Sequence, residues 1–184
     1  MIKKLIFATS HKGKVGEAQG ILDIPLEIAD IEVDEVQSMD LEYVARKKVE
    51  EVFKIVQQPV IIDDVGLKIR AWNDFPGPLV KFLQRIVGNK KVVELLKDEQ
   101  NREVIVQSAI GFHDGTKSHV FIGEVKGIIA TEERGTEGYG FDPIIIPDGQ
   151  DKTYAEMGLE GKNKLSHRRK AFDKLKEHLD SQGK

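Results

Sequence analysis

The spacing of apolar and polar positions changes along the chain and divides it into alternating strands and helices. Ile2 to Ala8 is mostly apolar, which predicts a first strand set centrally in a sheet. The polar turn Thr9-Ser10-His11-Lys12-Gly13-Lys14 follows, and then a helix to about Leu22 with Val15, Ala18, Ile21 and Leu22 on one side. Pro25 to Ala29 reads as a short strand, and the alternating acids and apolar residues from Asp30 to Gln37 predict an extended, half-exposed segment. From Asp40 the period becomes 3.6. Leu41, Val44, Ala45, Val49, Val52, Phe53 and Val56 form one stripe, Asp40 is the expected cap, and Gln57-Gln58-Pro59 is the stop.

Val60-Ile61-Ile62 predicts a short buried strand with Asp63-Asp64 at its C-terminal end, and Leu67 to Ala71 a separate strand. The loop Trp72 to Pro78 precedes two amphipathic helices, Leu79 to Val87 and Asn89 to Leu96, parted at Gly88. Asp114-Gly115 lies between Val104–Phe112 and Ser118–Val125, a hairpin signal, and the second arm extends to Ala130. Ile144 to Pro147 is expected to be a short strand and Thr153 to Met157 a helical turn. Lys162 to Lys170 opens a terminal helix in this reading, with Ser166 as its N-cap and Leu165, Phe172, Leu175 and Leu179 facing inward.

With 184 residues, 40% hydrophobic and 32% charged, the chain suits one domain or one domain of two lobes. A net charge of -3 gives no global reason to expect nucleic acid or an anionic membrane. The absence of cysteine excludes disulfides, zinc–thiolate sites and cysteine nucleophiles, so any metal must be held by oxygen or histidine. The apolar run Leu5 to Thr9 is too short for a signal peptide or a membrane span, and residence in the cytoplasm is the expectation.

Five stretches carry chemistry. Lys12 and Lys14 follow the first strand at a helix start, where backbone N–H groups suit an anion. Lys162, His167 and Arg168 form a second basic locus; cations are unfavourable at a helix N-terminus, and an anionic ligand would resolve that conflict. Glu35 and the Asp63-Asp64 pair supply carboxylates, and adjacent strand residues point to opposite faces, so only one of the pair need face a ligand. The fifth stretch is Gly135 to Pro143, whose glycines allow close backbone approach while Tyr139 or Phe141 offers a flat face. The plainer alternative is a turn whose aromatics pack in the core. Carboxylates and lysines together suit a magnesium polyphosphate, and hydrolysis of that substrate needs a positioned water but no covalent nucleophile.

Six blocks then resemble, in order over about 160 residues, the inosine triphosphate pyrophosphatases. They are Thr9 to Lys14 with Glu17, Asp63 to Leu67, Phe75 to Pro78, Gly135 to Pro143, Thr153 to Met157, and Lys162 to Arg168. The resemblance implies an α/β fold: a two-lobed single domain over residues 1–184, with an elongated mixed sheet, flanking helices and a central cleft. It implies Mg²⁺-dependent hydrolysis of ITP, dITP and XTP to the monophosphate and pyrophosphate, usually by a homodimer, with no nucleic-acid or membrane partner. Carried over by motif, Lys14 contacts the triphosphate within the Thr9-Ser10-His11 turn, and Glu35 and Asp64 lie at the metal. Asp63 is a second carboxylate for the metal or water. Tyr139, Gly140, Phe141 and Asp142 enclose the purine. Lys162, His167 and Arg168 line the base and phosphate side, and Arg168 faces the 6-oxo group.

Two positions depart from the family's usual pattern. His11 stands where asparagine is usual, and Val65 where serine or threonine is commoner. Both bear on rate and pH optimum more than on reaction class, since a histidine donor changes charge with pH. The alternatives are a related pyrophosphatase for pyrimidine or other modified nucleotides, a catalytically impaired nucleotide-binding protein, and a nucleic-acid binder using the Lys162 to Lys170 run. Release of pyrophosphate from ITP separates the first reading from these.

Overall fold

The computed structural model describes residues 4–182. Seven strands join one mixed sheet: β1 (Leu5–Ala8), β2 (Leu26–Ala29), β3 (Val60–Ile69), β4 (Pro76–Gly77), β5 (Glu103–His113), β6 (Ser118–Ile129) and β7 (Ile145–Pro147). Their order is β2-β1-β3-β5-β6-β7, with β4 on β3. β1 runs parallel to β2 and β3, whereas β4 is antiparallel to β3 and β7 to β6. Six helices accompany them among the described residues: α1 (Lys12–Gln19), α2 (Leu41–Val56), α3 (Val80–Ile86), α4 (Asn89–Leu95), α5 (Tyr154–Leu165) and α6 (His167–Gln182). None is long and apolar enough to cross a membrane.

The chain forms two compact units. Unit 1 takes residues up to Asp64, Ser108–Gly123, and those from His167 on; unit 2 takes Val65–Gln107 and Glu124–Ser166. In unit 1 the two-residue period of the strands sorts side chains onto two helical layers. Leu5 and Phe7 of β1, Ile61 of β3, and Ile110 and Phe112 of β5 pack with Ala18 of α1 and with Ala171, Phe172 and Leu175 of α6. Ile6, Ala8, Val60, Ile62 and Ala109 point the other way, onto Leu41, Ala45, Val49 and Val52 of α2. Burying each large side chain fully stabilises the fold by about 1.5–3 kcal/mol. In unit 2, Leu67, Ile69, Val104, Val106 and Ile129 of the strands pack with Val80, Val92, Leu96 and Tyr154.

Several expected elements appear with their causes visible. Asp40 caps α2 by accepting from the Tyr43 N–H at 3.1 Å, and Gln57 closes that helix in the left-handed region. The hairpin turn is fixed by Asp114, whose Oδ1 accepts from the N–H groups of Thr116 and Lys117 at 2.7 and 2.9 Å. Thr153 and Glu156 form a reciprocal capping box at the start of α5. The segment from Asp30 to Gln37 has no regular structure, but Ile31 and Val33 pack on the α2 side of the core.

Other boundaries differ from expectation. The first strand begins at Leu5, and Ile2 and Lys3 lie outside the described residues. Helix α1 stops at Gln19, although Ile21 and Leu22 remain buried beyond it. Strand β3 is a single ten-residue strand, so Asp63 and Asp64 sit inside it and not at its end. They still lie past the parallel ladder, whose last register pair is Phe7 with Ile61. Of the expected strand Leu67 to Ala71, Leu67 to Ile69 are the tail of β3, where Pro76-Gly77 pairs, and Arg70 and Ala71 enter a single 3-10 turn. Lys162 and Lys164 belong to the last turn of α5, where cations suit the negative end of the helix dipole. The terminal helix therefore starts at His167.

Candidate active site

In unit 1 the pleat of β3 gives its two adjacent acids different partners. Asp63 turns toward the α1 and α6 layer. Its Oδ1 accepts from the Ser108 hydroxyl at 2.7 Å and its Oδ2 from Arg168 Nε at 2.7 Å, with no side-chain surface exposed. Arg168 Nη1 also donates to both Glu17 oxygens at 3.0 Å. Lys14 donates to the Asp63 backbone carbonyl at 2.5 Å and lies 3.5 Å from its Oδ2. Burial would raise the Asp63 pKa, but the charges of Arg168 and Lys14 and the bonds from Ser108 and Arg168 outweigh it and hold the group well below the usual carboxylate range. Asp63 is thus a fixed negative charge and a poor proton acceptor.

Asp64 turns the other way, toward α2. Lys48 of that helix donates to Asp64 Oδ1 at 2.7 Å and to Glu35 Oε1 at 2.6 Å, joining the two carboxylates expected at a metal. The second oxygen, Asp64 Oδ2, is buried without a hydrogen-bond partner. Burial pushes the Asp64 pKa up, against the pull of Lys48 and Lys14. Lys48 itself is also penalised by burial, yet Asp64 and Glu35 outweigh that and raise its pKa.

The phosphate-turn candidates behave as the start of α1 requires. His11 occupies the N-cap position with extended backbone and no capping bond from its side chain, and its N–H donates to Thr9 Oγ1 at 3.1 Å. Ser10 and His11 are exposed and Thr9 is half-buried. Desolvation by the groups around it, then the charges of Lys14 and Arg168, lower the His11 pKa, so the ring stays neutral to a lower pH than an ordinary histidine. Burial lowers the Lys14 pKa.

His167 and Arg168 are buried in the first turn of α6. That turn presses on Gly123 of β6, where a Cβ would lie 2.1 Å from the His167 carbonyl oxygen and 2.3 Å from the Ala171 nitrogen. The unfavourable cation at this helix start is offset by Glu17 and Asp63, which the sequence reading left to an anionic ligand.

In unit 2 the glycine-rich loop is braced from within. Asp142 Oδ2 accepts from the Tyr139 N–H at 2.9 Å and from Lys162 Nζ at 2.8 Å. The Lys162 ammonium lies 4.5 Å from the centroid of the Tyr139 ring and 5.7 Å from that of Tyr154. Gly138 and Gly140 have positive φ, and a Cβ on Gly138 would collide with Asp142 Oδ2 at 2.3 Å. Phe141 is buried in the unit 2 core, so its ring is a packing group, and the loop's other aromatic, Tyr139, is half-buried. Asn89 holds the loop from α4 by donating to the Gly140 carbonyl at 2.7 Å.

The structure thus gathers Lys14, Asp63 and Arg168 in one network of unit 1 and Glu35 and Asp64 in another, while Tyr139, Asp142 and Lys162 meet in unit 2. Lys48 and Ser108 were missed. Lys48 carried a signal, since it falls on the buried stripe of α2 between Ala45 and Val52. Ser108 is a lone hydroxyl in an apolar run.

Among the described residues no three His, Asp or Glu side chains are grouped to hold a metal. Two carboxylates that already converge on one cation, with a buried oxygen still unpaired, nevertheless fit a hard divalent ion. Magnesium in polyphosphate enzymes takes one or two carboxylates and completes its shell with water and substrate.

The sequence model of the Ham1 family matches residues 5–178. The dITP/XTP pyrophosphatase of Methanopyrus kandleri is 42% identical over 178 residues, covering 95% of each chain. That of Saccharolobus solfataricus is 41% identical over 181 residues, 97% of this chain and 94% of the relative. Among solved structures, the Staphylococcus aureus Ham1 protein superposes with a TM-score of 0.85 at 29% identity, covering 98% of this chain and 100% of its own. The chain belongs to the Ham1 family.

Proposed function

We infer that the protein hydrolyses nonstandard purine nucleoside triphosphates, ITP, dITP and XTP, to the monophosphate and pyrophosphate, removing deaminated purines from the nucleotide pool. The observation that carries the reading is the convergence of Glu35 and Asp64 on one cation, with Asp64 Oδ2 buried and unpaired. The dITP/XTP pyrophosphatases similar over 93% or more of this chain support the substrate class.

Glu35 and Asp64 would hold Mg²⁺, which supplies charge neutralisation and polarisation of the phosphoryl group when bound. Asp64 is the carboxylate suited to take the proton of the attacking water, because Asp63 is saturated by Arg168 and Ser108. Water adds to the α-phosphorus, the α–β bridging P–O bond breaks, and pyrophosphate carries away the bridging oxygen. Thr9, Ser10, His11 and Lys14 would position phosphate oxygens, the last with a positive charge. Tyr139 would stack on the base. A donor opposite O6 would favour 6-oxo purines, because adenine presents an amino group there and leaves the donor unpaired; Arg168, expected in that role from the resemblance, is instead out of solvent with its guanidinium on Asp63 and Glu17. The reading takes residues 1–184 as one pyrophosphatase domain, with a cytoplasmic homodimer following from the family resemblance.

The test is product identity with purified protein and Mg²⁺. Pyrophosphate and IMP are expected from ITP, with kcat/KM for ITP and XTP at least about a hundredfold above ATP. Orthophosphate release, equal turnover of ATP, preference for a pyrimidine triphosphate, or no turnover would each overturn it.

A further inference from the structure

We propose that Lys48 is a place-holder for the divalent cation: its ammonium occupies the Glu35–Asp64 carboxylate pair in the metal-free protein and must leave when the metal enters. The inference rests on the functional reading for the identity of the metal, but not for the contest over the seat.

Lys48 Nζ lies 2.6 Å from Glu35 Oε1 and 2.7 Å from Asp64 Oδ1, so one point charge spans both carboxylates. A magnesium ion bound to the same oxygens would sit about 2.0–2.1 Å from each. Two cations cannot occupy that space together, both because the ammonium fills it and because like charges repel. One has to move, and lysine is built to do so: its charge ends a flexible four-carbon stem, whereas the carboxylates are tethered to a strand and to the chain before α2. Asp64 Oδ2 shows that the ammonium does not complete the site. A lysine offers one compact charge; a metal with its own water shell reaches the second oxygen as well.

Without Lys48, the folded protein would hold a largely buried Asp64 beside Glu35 with the nearest charge compensation removed, and an uncompensated buried charge is destabilising. Lys48 therefore lets the site fold before metal arrives. It also sets a coupling. Metal entry frees an ammonium next to the seat, and a polyphosphate that holds that ammonium aside makes the seat easier to fill. By linkage each then strengthens the other.

The test is calorimetric titration of MgCl₂ into substrate-free protein, repeated with Mn²⁺ by electron paramagnetic resonance. Lys48→Met is expected to bind either ion about tenfold or more tightly than wild type, and to gain more thermal stability from saturating Mg²⁺. Adding Glu35→Gln to that variant should remove the gain. Equal or weaker metal binding by Lys48→Met overturns the proposal, as does a gain that survives Glu35→Gln. Should Lys48→Met fail to fold, Lys48→Gln keeps a neutral donor between the carboxylates and carries the same expectation. No arm uses turnover. Absent pyrophosphate release by wild type would therefore overturn the functional reading alone, and unchanged metal affinity would overturn the place-holder alone.

Discussion

Arg168 and Asp63, 105 positions apart in sequence, share a 2.7 Å hydrogen bond with both side chains out of solvent. The same guanidinium holds Glu17, so α6 is fastened to β3 and α1 through one side chain. Arg168→Met is expected to take the guanidinium from two buried carboxylates, leaving Asp63 with Lys14 and Ser108, and to cost about 3–5 kcal/mol. Urea unfolding measures this. Pairing the change with Glu17→Gln should recover part of the loss, since one stranded charge is then gone.

The two acids of β3 should fail differently. Asp64→Asn is expected to reduce pyrophosphate release from ITP roughly a hundredfold or more, with little change in the unfolding midpoint. Asp63→Asn removes the partner of both Arg168 and Lys14 and should lower the midpoint more, by several degrees for each 2 kcal/mol or so lost. Activity and thermal melts on the same preparations separate them. Full activity of Asp64→Asn would reject its role.

Lys162 and Asp142 are a buried pair, with side-chain exposures of 3% and 1%, that braces the loop carrying Tyr139. Lys162→Met is expected to raise KM for ITP about tenfold or more while changing kcat less, if the loop holds the base and not the phosphates as proposed. Lys162→Met with Asp142→Asn should regain stability without regaining KM. Steady-state kinetics and denaturation together decide this.

Asp114 fixes the β5–β6 turn. Burial opposes its charge, but the Thr116 hydroxyl, the Lys117 and Thr116 N–H groups and His119 hold its pKa below the usual range. A lowered folded-state pKa means that its stabilisation is present above the unfolded value near 3.9 and is lost as pH falls through the lower folded value. Asp114→Ala should therefore cost about 1–2 kcal/mol near neutral pH, and the gap to wild type should close in acid. Unfolding free energies from pH 7 down to about pH 2 trace it.

Strands β1, β5 and β6 and helix α2 were readable because each is long or strongly periodic and has local turn or cap chemistry. The paired acids were misplaced for a physical reason. Adjacent carboxylates inside a strand look too costly to bury, and what offsets Asp63 is Ser108 and Arg168, on parts of the chain that spacing cannot connect. Lys48 was passed over because a helical lysine is usually solvated. The basic stretch Lys162 to Arg168 looked like one helix start, but Leu165 ends α5 and His167 begins α6, dividing its cations between opposite helix ends. Phe141 carried no mark that distinguished it from Tyr139; only the core of unit 2 claims it.

Gly123 has no functional group, yet any side chain there would meet the backbone of α6 at His167, Lys170 and Ala171. That helix start carries Arg168. A screen for lost activity should therefore score Gly123 alongside the charged residues, and suppressors of Gly123→Ala should fall in the first turn of α6. Sensitivity to mutation here maps clearance as well as chemistry, and a search for catalytic groups by loss of function alone would count a spacer among them.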